Sequence, residues 1–229
     1  MSGHRPPYYI PQPILDDMTR NPKFRLRILP TLWRACTRLT WVGMLLVAAT
    51  ATAQPPSREL LNSERIQQAF GSYGVEVLEQ DEQVRVSNLF SGAGQDKTCR
   101  TFAIVRYPPH LDDAVSAEHA EIVAGGSIGA VFAARGWQVR KTHLSYAQRP
   151  ASARLARLMR VAAGTTLAEH IYVLDVVKDG RAIEYAVLAE IHHPDYLGVA
   201  DLARIYGPVD DGRKELVARL RATVAERTR

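Results

Sequence analysis

The feature that most constrains the fold is a pair of long β-forming runs joined by an Asp-Gly turn. The runs are "LAEHIYVLDVV", residues 167–177, and "RAIEYAVLAEIHHP", residues 181–194, and only Lys178, Asp179 and Gly180 separate them. Asp-Gly is among the strongest local hairpin signals, because both turn residues tolerate a positive φ. The sequence therefore predicts a long antiparallel hairpin.

The second run carries polar side chains on one face. Glu184, Glu190 and His192 share one parity with Ala186 and Leu188, whereas the other parity is apolar from Ile183 to Ile191. Successive strand side chains point to opposite faces of a sheet. The polar row therefore either lines a cavity or lies in solvent. In a cavity, the carboxylates would accept hydrogen bonds from a ligand, or one would act as a general acid/base after burial raised its pKa.

The remaining pattern adds further strands with helices between them. Alternating or apolar runs at 75–80, 84–90, 99–107 and 137–146 predict four more strands. Helical patterns follow Ser63, a candidate N-cap, and occur at 112–136 with a break at Gly125 and Gly126, at 151–160 and at the C-terminus. This order predicts the α+β class, with a mostly antiparallel sheet of about six strands and helices packed on it.

Residues 126–196 resemble the chorismate lyase fold and its relative, the UTRA effector-binding domain of GntR-type bacterial regulators. The matching pieces, in order, are "GSIGAVFAARG", a strand, the helix "ASARLARLM", "AAGTTL", a strand, the turn "KDG" and a strand closing as "EIHHP". The individual motifs are short, and their order carries the resemblance. It implies a chorismate-lyase-like architecture and a site for an anionic or aromatic small molecule.

The resemblance also implies particular site residues. Glu190 stands four positions before Pro194, where the superfamily has Glu-x-x-x-Pro and a ligand-facing carboxylate. Ser127 would lie at a helix start, a place suited to an anionic group. The family's penultimate strand carries an arginine, but "EHIYVLDVVKDG" has none, which argues against chorismate cleavage and sugar-phosphate sensing. Arg100 or Arg106 on the earlier strand would then be its replacement.

The first 53 residues have the pattern of an export signal. They hold seven of the 29 Lys/Arg and two of the 24 Asp/Glu, followed by the apolar run 41–50 and Ala51-Thr52-Ala53. The run is shorter than the roughly 20 residues of a membrane-spanning helix, and Ala-Thr-Ala fits a cleavage site. We predict an export signal at 1–53, a flexible lead at 54–62 and a single α+β domain at 63–229. Translation from Met18 and an uncleaved signal stay open.

Charge and residue spacing argue against several other classes. From residue 54 onward, Lys/Arg and Asp/Glu are equal in number, whereas nucleic-acid-binding domains concentrate positive charge. No nucleic-acid partner is therefore predicted. No metal is predicted either, because the adjacent His192 and His193 would point to opposite faces of a regular strand, and His170 and Asp195 add only a poor signal. No cofactor is predicted, and "GGSIG" lacks the Lys-Ser/Thr of a phosphate loop and the preceding strand of a dinucleotide site. Cys99 is expected to be a buried small hydrophobe.

Together these observations predict a periplasmic or secreted small-molecule-binding domain without a DNA-binding domain. The predicted ligand contacts are Glu190, Glu184, His192, Ser127, Arg100 and Arg106. A binder is favoured over an enzyme because no nucleophile paired with a base can be placed among them. The alternatives are a lyase-type enzyme that uses Glu190 as acid/base and an exported protein–protein interaction module.

Overall fold

A computed structural model describes residues 59–229, which form one six-stranded sheet with helices on both faces. The predicted export signal lies outside the described residues. Every neighbouring pair of strands is antiparallel, in the order β1-β2-β3-β6-β5-β4. The strands are β1 (Gly74–Gln80), β2 (Val84–Ser91), β3 (Thr98–Arg106), β4 (Gln138–Pro150), β5 (Thr166–Lys178) and β6 (Arg181–His192). The predicted α+β class is confirmed.

In residues 59–229, six α-helices cover the sheet. They are α1 (Asn62–Phe70), α2 (Ser116–Val123), α3 (Ile128–Ala134), α4 (Ala153–Met159), α5 (Val199–Tyr206) and α6 (Lys214–Arg227). Helices α4 and α6 pack on one face around Met159 and Leu220, and α2 and α3 pack on the other around Ile122 and Phe132. Within 59–229, no helix has the length and hydropathy to cross a membrane.

The hairpin formed by β5 and β6 is confirmed, with the predicted turn between its strands. Asp179 has φ 51° and Gly180 has φ 79°, as a two-residue turn of type I′ requires. Lys178 pairs with Arg181 directly beside the turn. The turn therefore sets the register from which β5 and β6 pair along their length.

A β-bulge in β6 interrupts this pairing. Leu174 pairs with Ala186, but the next residue of β5, Asp175, pairs with Glu184, so Tyr185 is the extra residue. An extra residue reverses the alternation of side chains on the two sides of the bulge. Tyr185 accordingly packs in the same apolar cluster as Ala186.

The bulge separates two carboxylates that the sequence analysis placed on one face. Glu190 is 3% exposed in the protein interior. Glu184 is exposed, and its Oε2 accepts a hydrogen bond from Arg213 Nη1 at 2.8 Å. The prediction that Glu184 and Glu190 share a face is wrong, because strict alternation does not hold across an inserted residue.

The described domain begins before the predicted boundary at Ser63. Helix α1 starts at Asn62, with Leu61 as N-cap, and Leu61 N donates to Glu64 Oε2 at 2.8 Å. Asn62 is buried, and Glu59 pairs with Lys141 on β4. Residues 59–62, part of the predicted flexible lead, are therefore anchored in the domain, and Ser63 is not the helix cap.

We expect Gly180→Ala to destabilise the chain by at least about 1 kcal/mol, because a Cβ at positive φ is strained. The free energy of unfolding in denaturant measures this. Gly180→Asn is the matched control, since asparagine adopts a positive φ more readily than alanine and should destabilise the chain less. Equal effects of the two substitutions would contradict the proposed turn geometry.

Candidate functional site

A small cavity lies between the sheet and the segments that open α1 and α3. Its volume is about 70 Å³, and all six strands contribute to its wall. Most of the lining is apolar, and its polar members are Asn62, Ser63, Tyr73, Arg85, Ser87, Ser127, Lys141, Tyr172 and Glu190. An apolar wall with a few convergent polar groups is typical of small-molecule sites, although those usually span about 300–1,000 Å³. The cavity therefore suits a ligand with few non-hydrogen atoms.

Arg85 on β2 places a buried cation at the wall of this cavity. Its side chain is among the largest that are fully buried, with the residue 1% exposed. Nη1 donates to the carbonyl oxygens of Ile122 at 2.7 Å and Gly126 at 2.9 Å, and Nε donates to Ser87 Oγ at 2.9 Å. Among residues 59–229, no carboxylate forms an ion pair with Arg85. Within the described residues, its hydrogen-bond partners are therefore neutral carbonyl and hydroxyl groups.

Lys141 on β4 is a second buried cation, but it has an acidic partner. Its Nζ lies 2.8 Å from Glu59 Oε1, and its side chain is 5% exposed. Burial opposes the charged form of Lys141, but the charges of Tyr206, Glu190 and Glu59 outweigh it and raise the pKa of the lysine. Burial alone would raise the pKa of Glu59, yet hydrogen bonding to His143 and the charge of Lys141 lower it to about 2. Both groups are charged at neutral pH.

Glu190 on β6 lies on the cavity wall with one oxygen anchored. Its Oε1 accepts a hydrogen bond from Asn62 Nδ2 at 3.0 Å, while its Oε2 has no hydrogen-bond partner in the described chain. Burial raises the pKa of Glu190, and the charge of Lys141 and hydrogen bonding to Asn62 and Tyr172 offset this only in part. Burial therefore favours the protonated form of this carboxyl group more than it would be favoured in water.

Two histidines meet Glu190 behind the cavity wall. His170 is the cross-strand partner of Glu190 on β5, and His192 lies two residues further along β6 on the same face. His170 Nδ1 is 4.0 Å and His192 Nε2 is 3.9 Å from Glu190 Oε2. Both imidazoles are 0% exposed. Burial lowers the pKa of each, to about 3 for His192, so both are neutral at pH 7.

The outer atoms of these three groups are held by a hydrogen-bond network. Thr101 Oγ1 contacts His192 Nδ1 at 3.0 Å and accepts from Asn62 Nδ2 at 3.1 Å. His170 Nε2 contacts His143 Nδ1 at 2.9 Å, and Tyr196 OH donates to Asn62 Oδ1 at 2.6 Å. Asn62 thus ties α1 to both β3 and β6, and it orients the carboxylate.

The predicted site residues do not all come together. Glu190 and Ser127 line the cavity, and His192 contacts the same network from behind. Arg100 is half-buried, with its guanidinium 3.8 Å from the centre of the Phe70 ring and Nε donating to Ser91 Oγ. Arg106 and Glu184 are exposed. None of these three residues borders the cavity.

Three important polar residues were not anticipated from the sequence: Arg85, Lys141 and Asn62. Arg85 shares its parity in "VRVSNLF" with Ser87, a pattern that ordinarily indicates a solvated face. Asn62 and Glu59 lie in a segment whose composition resembles a flexible lead. These groups are buried because α1 and α3 cover the sheet. The alternation of polar and apolar residues along a strand does not show which face a helix covers. Cys99 is buried as expected, and burial raises the pKa of its thiol to about 12.

Comparison with known proteins finds similarity to solved structures only. No family model matches the chain, and no curated protein matches it significantly in sequence. The ligand-binding domain assigned to a GntR-family transcriptional regulator from Bordetella bronchiseptica is 12% identical, with a TM-score of 0.38, over 54% of this chain and 87% of that one.

Two further solved structures show a similarity of the same extent. The C-terminal domain of Yurk from Bacillus subtilis is 16% identical, with a TM-score of 0.34, over 56% of this chain and 89% of that one. A GntR-family regulator from Enterococcus faecalis is 13% identical, with a TM-score of 0.32, over 56% of this chain and 93% of that one. The predicted resemblance to such domains is thus confirmed as a structural similarity. With TM-scores below 0.5, these alignments carry no information on what this chain binds.

We expect Glu59→Gln to destabilise the chain by about 1–2 kcal/mol at pH 7, because the buried Lys141 loses its partner and the exposed third of Glu59 weakens the effect. The folded pKa of Glu59 lies below its ordinary value of 4.5. Its contribution is therefore present above pH 4.5 and is lost as the pH falls toward about 2.

Unfolding free energies of wild type and variant across this pH range test the expectation. Their difference should shrink on acidification. Glu184→Gln, which removes an exposed ion pair with Arg213, is the control and should change stability by less than about 0.5 kcal/mol. A difference between wild type and Glu59→Gln that is independent of pH would contradict the assigned ion pair.

Proposed function

We propose that residues 59–229 form a binding domain for a small anionic molecule, which occupies the cavity and pairs with Arg85. The observation that carries this proposal is the buried guanidinium, which borders the cavity without a carboxylate partner in the described chain. Burying an uncompensated charge costs several kcal/mol. A carboxylate or phosphate bound beside Arg85 would recover much of that cost by accepting from Nη2, the one guanidinium nitrogen that the hydrogen bonds to Ser87, Ile122 and Gly126 do not use.

The other lining groups define the kind of anion that fits. The hydroxyl groups of Ser87, Ser127 and Tyr73 surround the polar part, and Tyr73 OH lies 3.4 Å from Ser127 Oγ. Leu61, Val105 and Leu188 supply an apolar wall. A compact carboxylic acid with a short hydrocarbon part combines both requirements. Lys141 adds positive potential, although Glu59 neutralises most of it.

Binding without turnover is the function that this arrangement supports best. The unpaired Glu190 Oε2 faces imidazoles at 3.9 and 4.0 Å, and no serine, cysteine or lysine nucleophile of residues 59–229 is hydrogen bonded to these bases. A lyase-type reaction with Glu190 as acid/base is the alternative proposal, and turnover of a bound acid would favour it. Absence of any small ligand would favour an interaction module.

We expect compact carboxylates of two to six carbons, or inorganic phosphate, to raise the melting temperature of the full chain. At a hundredfold excess over the dissociation constant, a ligand stabilises the native state by about 2.7 kcal/mol. Differential scanning fluorimetry identifies the ligand, and isothermal titration calorimetry measures its affinity.

Two variants make this experiment specific. Ala103→Leu places three more carbon atoms in the cavity and should abolish binding, with the fold judged by unfolding in the absence of ligand. It is the primary variant, because Arg85 also holds the carbonyl groups of Ile122 and Gly126. Arg106→Gln removes an exposed arginine on the same strand, β3, and should leave the affinity unchanged. Anion binding that survives Ala103→Leu would refute the assignment to this cavity.

We further propose that the chain is exported and that its signal is cleaved after Ala53. The support is the arginine-rich segment, the apolar run 41–50 and the Ala51-Thr52-Ala53 sequence. N-terminal sequencing of the protein from a bacterial periplasmic fraction should give Gln54 as the first residue. Ala53→Arg, which places a large charged side chain at the cleavage position, should leave the signal attached. Full-length protein confined to the cytoplasm would contradict export.

A further inference from the structure

We propose that His170, Glu190 and His192 form a binding site for a divalent transition metal ion, with Zn²⁺ the best match. The three offer His170 Nδ1, Glu190 Oε2 and His192 Nε2, and these atoms all lie within 4.8 Å of one another. This site does not depend on the anion proposed for the cavity. It would add a metal centre to a wall that the cavity shares through Glu190.

The sheet itself brings these donors together. His170 and Glu190 are direct cross-strand partners, and His192 follows Glu190 by two residues. Directly opposed strand residues have Cβ atoms about 4.5–5.5 Å apart, and residues i and i+2 share a face. The adjacent His192 and His193 do diverge, as expected from the sequence: His193 Nε2 contacts Met159 O on the other side. The relevant second histidine is instead on the neighbouring strand.

In each of the three side chains, one polar atom has a hydrogen-bond partner and the other, which faces the proposed metal position, has none. His170 Nδ1, Glu190 Oε2 and His192 Nε2 have no hydrogen-bond partner among residues 59–229, although each is buried. The opposite atoms contact His143, Asn62 and Thr101. Metal-binding histidines and carboxylates characteristically have such outer partners, which fix ring orientation and tautomer. Three unpartnered donor atoms that converge on one point are the second, independent sign of a ligand.

The outer partners also select the tautomers that a metal requires. His143 Nε2 lies 3.5 Å from Glu59 Oε2, so an N–H there faces the carboxylate. With its proton on Nε2 alone, His143 accepts at Nδ1 from His170 Nε2–H, and this tautomer leaves a lone pair on His170 Nδ1. Thr101 Oγ1 has two lone pairs and accepts from Asn62 and from His192 Nδ1–H. The lone pair of His192 is then on Nε2, directed to the same point.

The spacing of the donors suits a small adjustment on binding. Zinc–ligand distances of about 2.0–2.2 Å in a tetrahedron place ligand atoms about 3.3 Å apart. The separations of 3.9 and 4.0 Å at Glu190 Oε2 are wider. Side-chain rotations that bring the donors closer by about 0.6 Å at Glu190, and by up to about 1.5 Å between the two histidines, close the difference. A water molecule hydrogen bonded to all three atoms is the competing occupant and is distinguished by experiment.

The charge and the donor types favour zinc over other ions. Two imidazole nitrogens and one carboxylate oxygen form a set that zinc accepts, whereas Ca²⁺ and Mg²⁺ prefer oxygen alone. The nearby Lys141 and Glu59 neutralise each other at 2.8 Å. On binding, a deprotonated Glu190 would contribute one negative charge toward the two positive charges of the ion, which leaves room for an anionic or neutral fourth ligand. Three protein ligands with an open position are the arrangement of catalytic rather than structural zinc sites.

Metal titration of the untagged full chain, stripped with a chelator and free of added anions, tests the proposal. We expect one equivalent of Zn²⁺ to bind and Co²⁺ to give the visible d–d absorption of a low-symmetry site. His192→Gln and His170→Gln should each weaken binding by more than about 100-fold, since loss of an outer partner alone costs 10–100-fold. His193→Gln, at the adjacent position facing away, is the matched control and should retain wild-type affinity.

Thr101→Val distinguishes a loss of metal affinity from a loss of folded protein. It keeps the side-chain shape but removes the outer partner of His192, so Zn²⁺ should bind about 10–100-fold more weakly to a protein that still melts cooperatively. Binding that is absent in wild type, or weakened equally by His193→Gln, would overturn the proposal and leave an ordered water as the occupant. Anion titrations in the presence of chelator test the cavity separately, so the two proposals fail independently.

Discussion

Strand β6 lies between β3 and β5, so neighbouring strands bond both of its edges, and helices cover both faces of the sheet. A buried polar side chain on β6 needs a partner inside the protein, because leaving it unpartnered reduces the stability of the fold by about 1–3 kcal/mol. Glu190 is such a side chain. The arrangement of Asn62, Thr101 and the two histidines follows from that requirement.

The need to accommodate Glu190 also explains why residues 59–62 are anchored in the domain. Asn62 bonds both Glu190 and Thr101, and Glu59 pairs with Lys141 next to them. The segment 59–62 therefore closes the polar interior over the sheet, and α1 continues from it. Arg85 is stabilised differently: it uses carbonyl oxygens of Ile122 and Gly126, so the same cation that borders the cavity also fixes the connection between α2 and α3. Binding at the cavity and local stability are thus linked through shared residues.

Features that depend on local backbone chemistry could be predicted from the sequence. Features that depend on which helices cover which part of the sheet could not. The Asp179-Gly180 turn fixes a hairpin because few residues accept its backbone angles, and the break at Gly125 and Gly126 separates two helices as predicted. The bulge at Tyr185 has no comparable local signal, so Glu184 was assigned to the wrong face. Arg85 was missed because a charged strand residue normally faces water, and only the packing of α2 and α3 removes it from solvent. The importance of His170 emerges only from the register of β5 against β6.

The central claim is that the polar, positively charged interior beside Arg85 receives an anion. A crystal structure of the protein soaked in bromide tests it most directly, since bromide is located by its anomalous scattering. The account predicts an anomalous peak inside the cavity within hydrogen-bonding distance of the Arg85 guanidinium. Peaks confined to exposed lysines and arginines, with none beside Arg85, would contradict it.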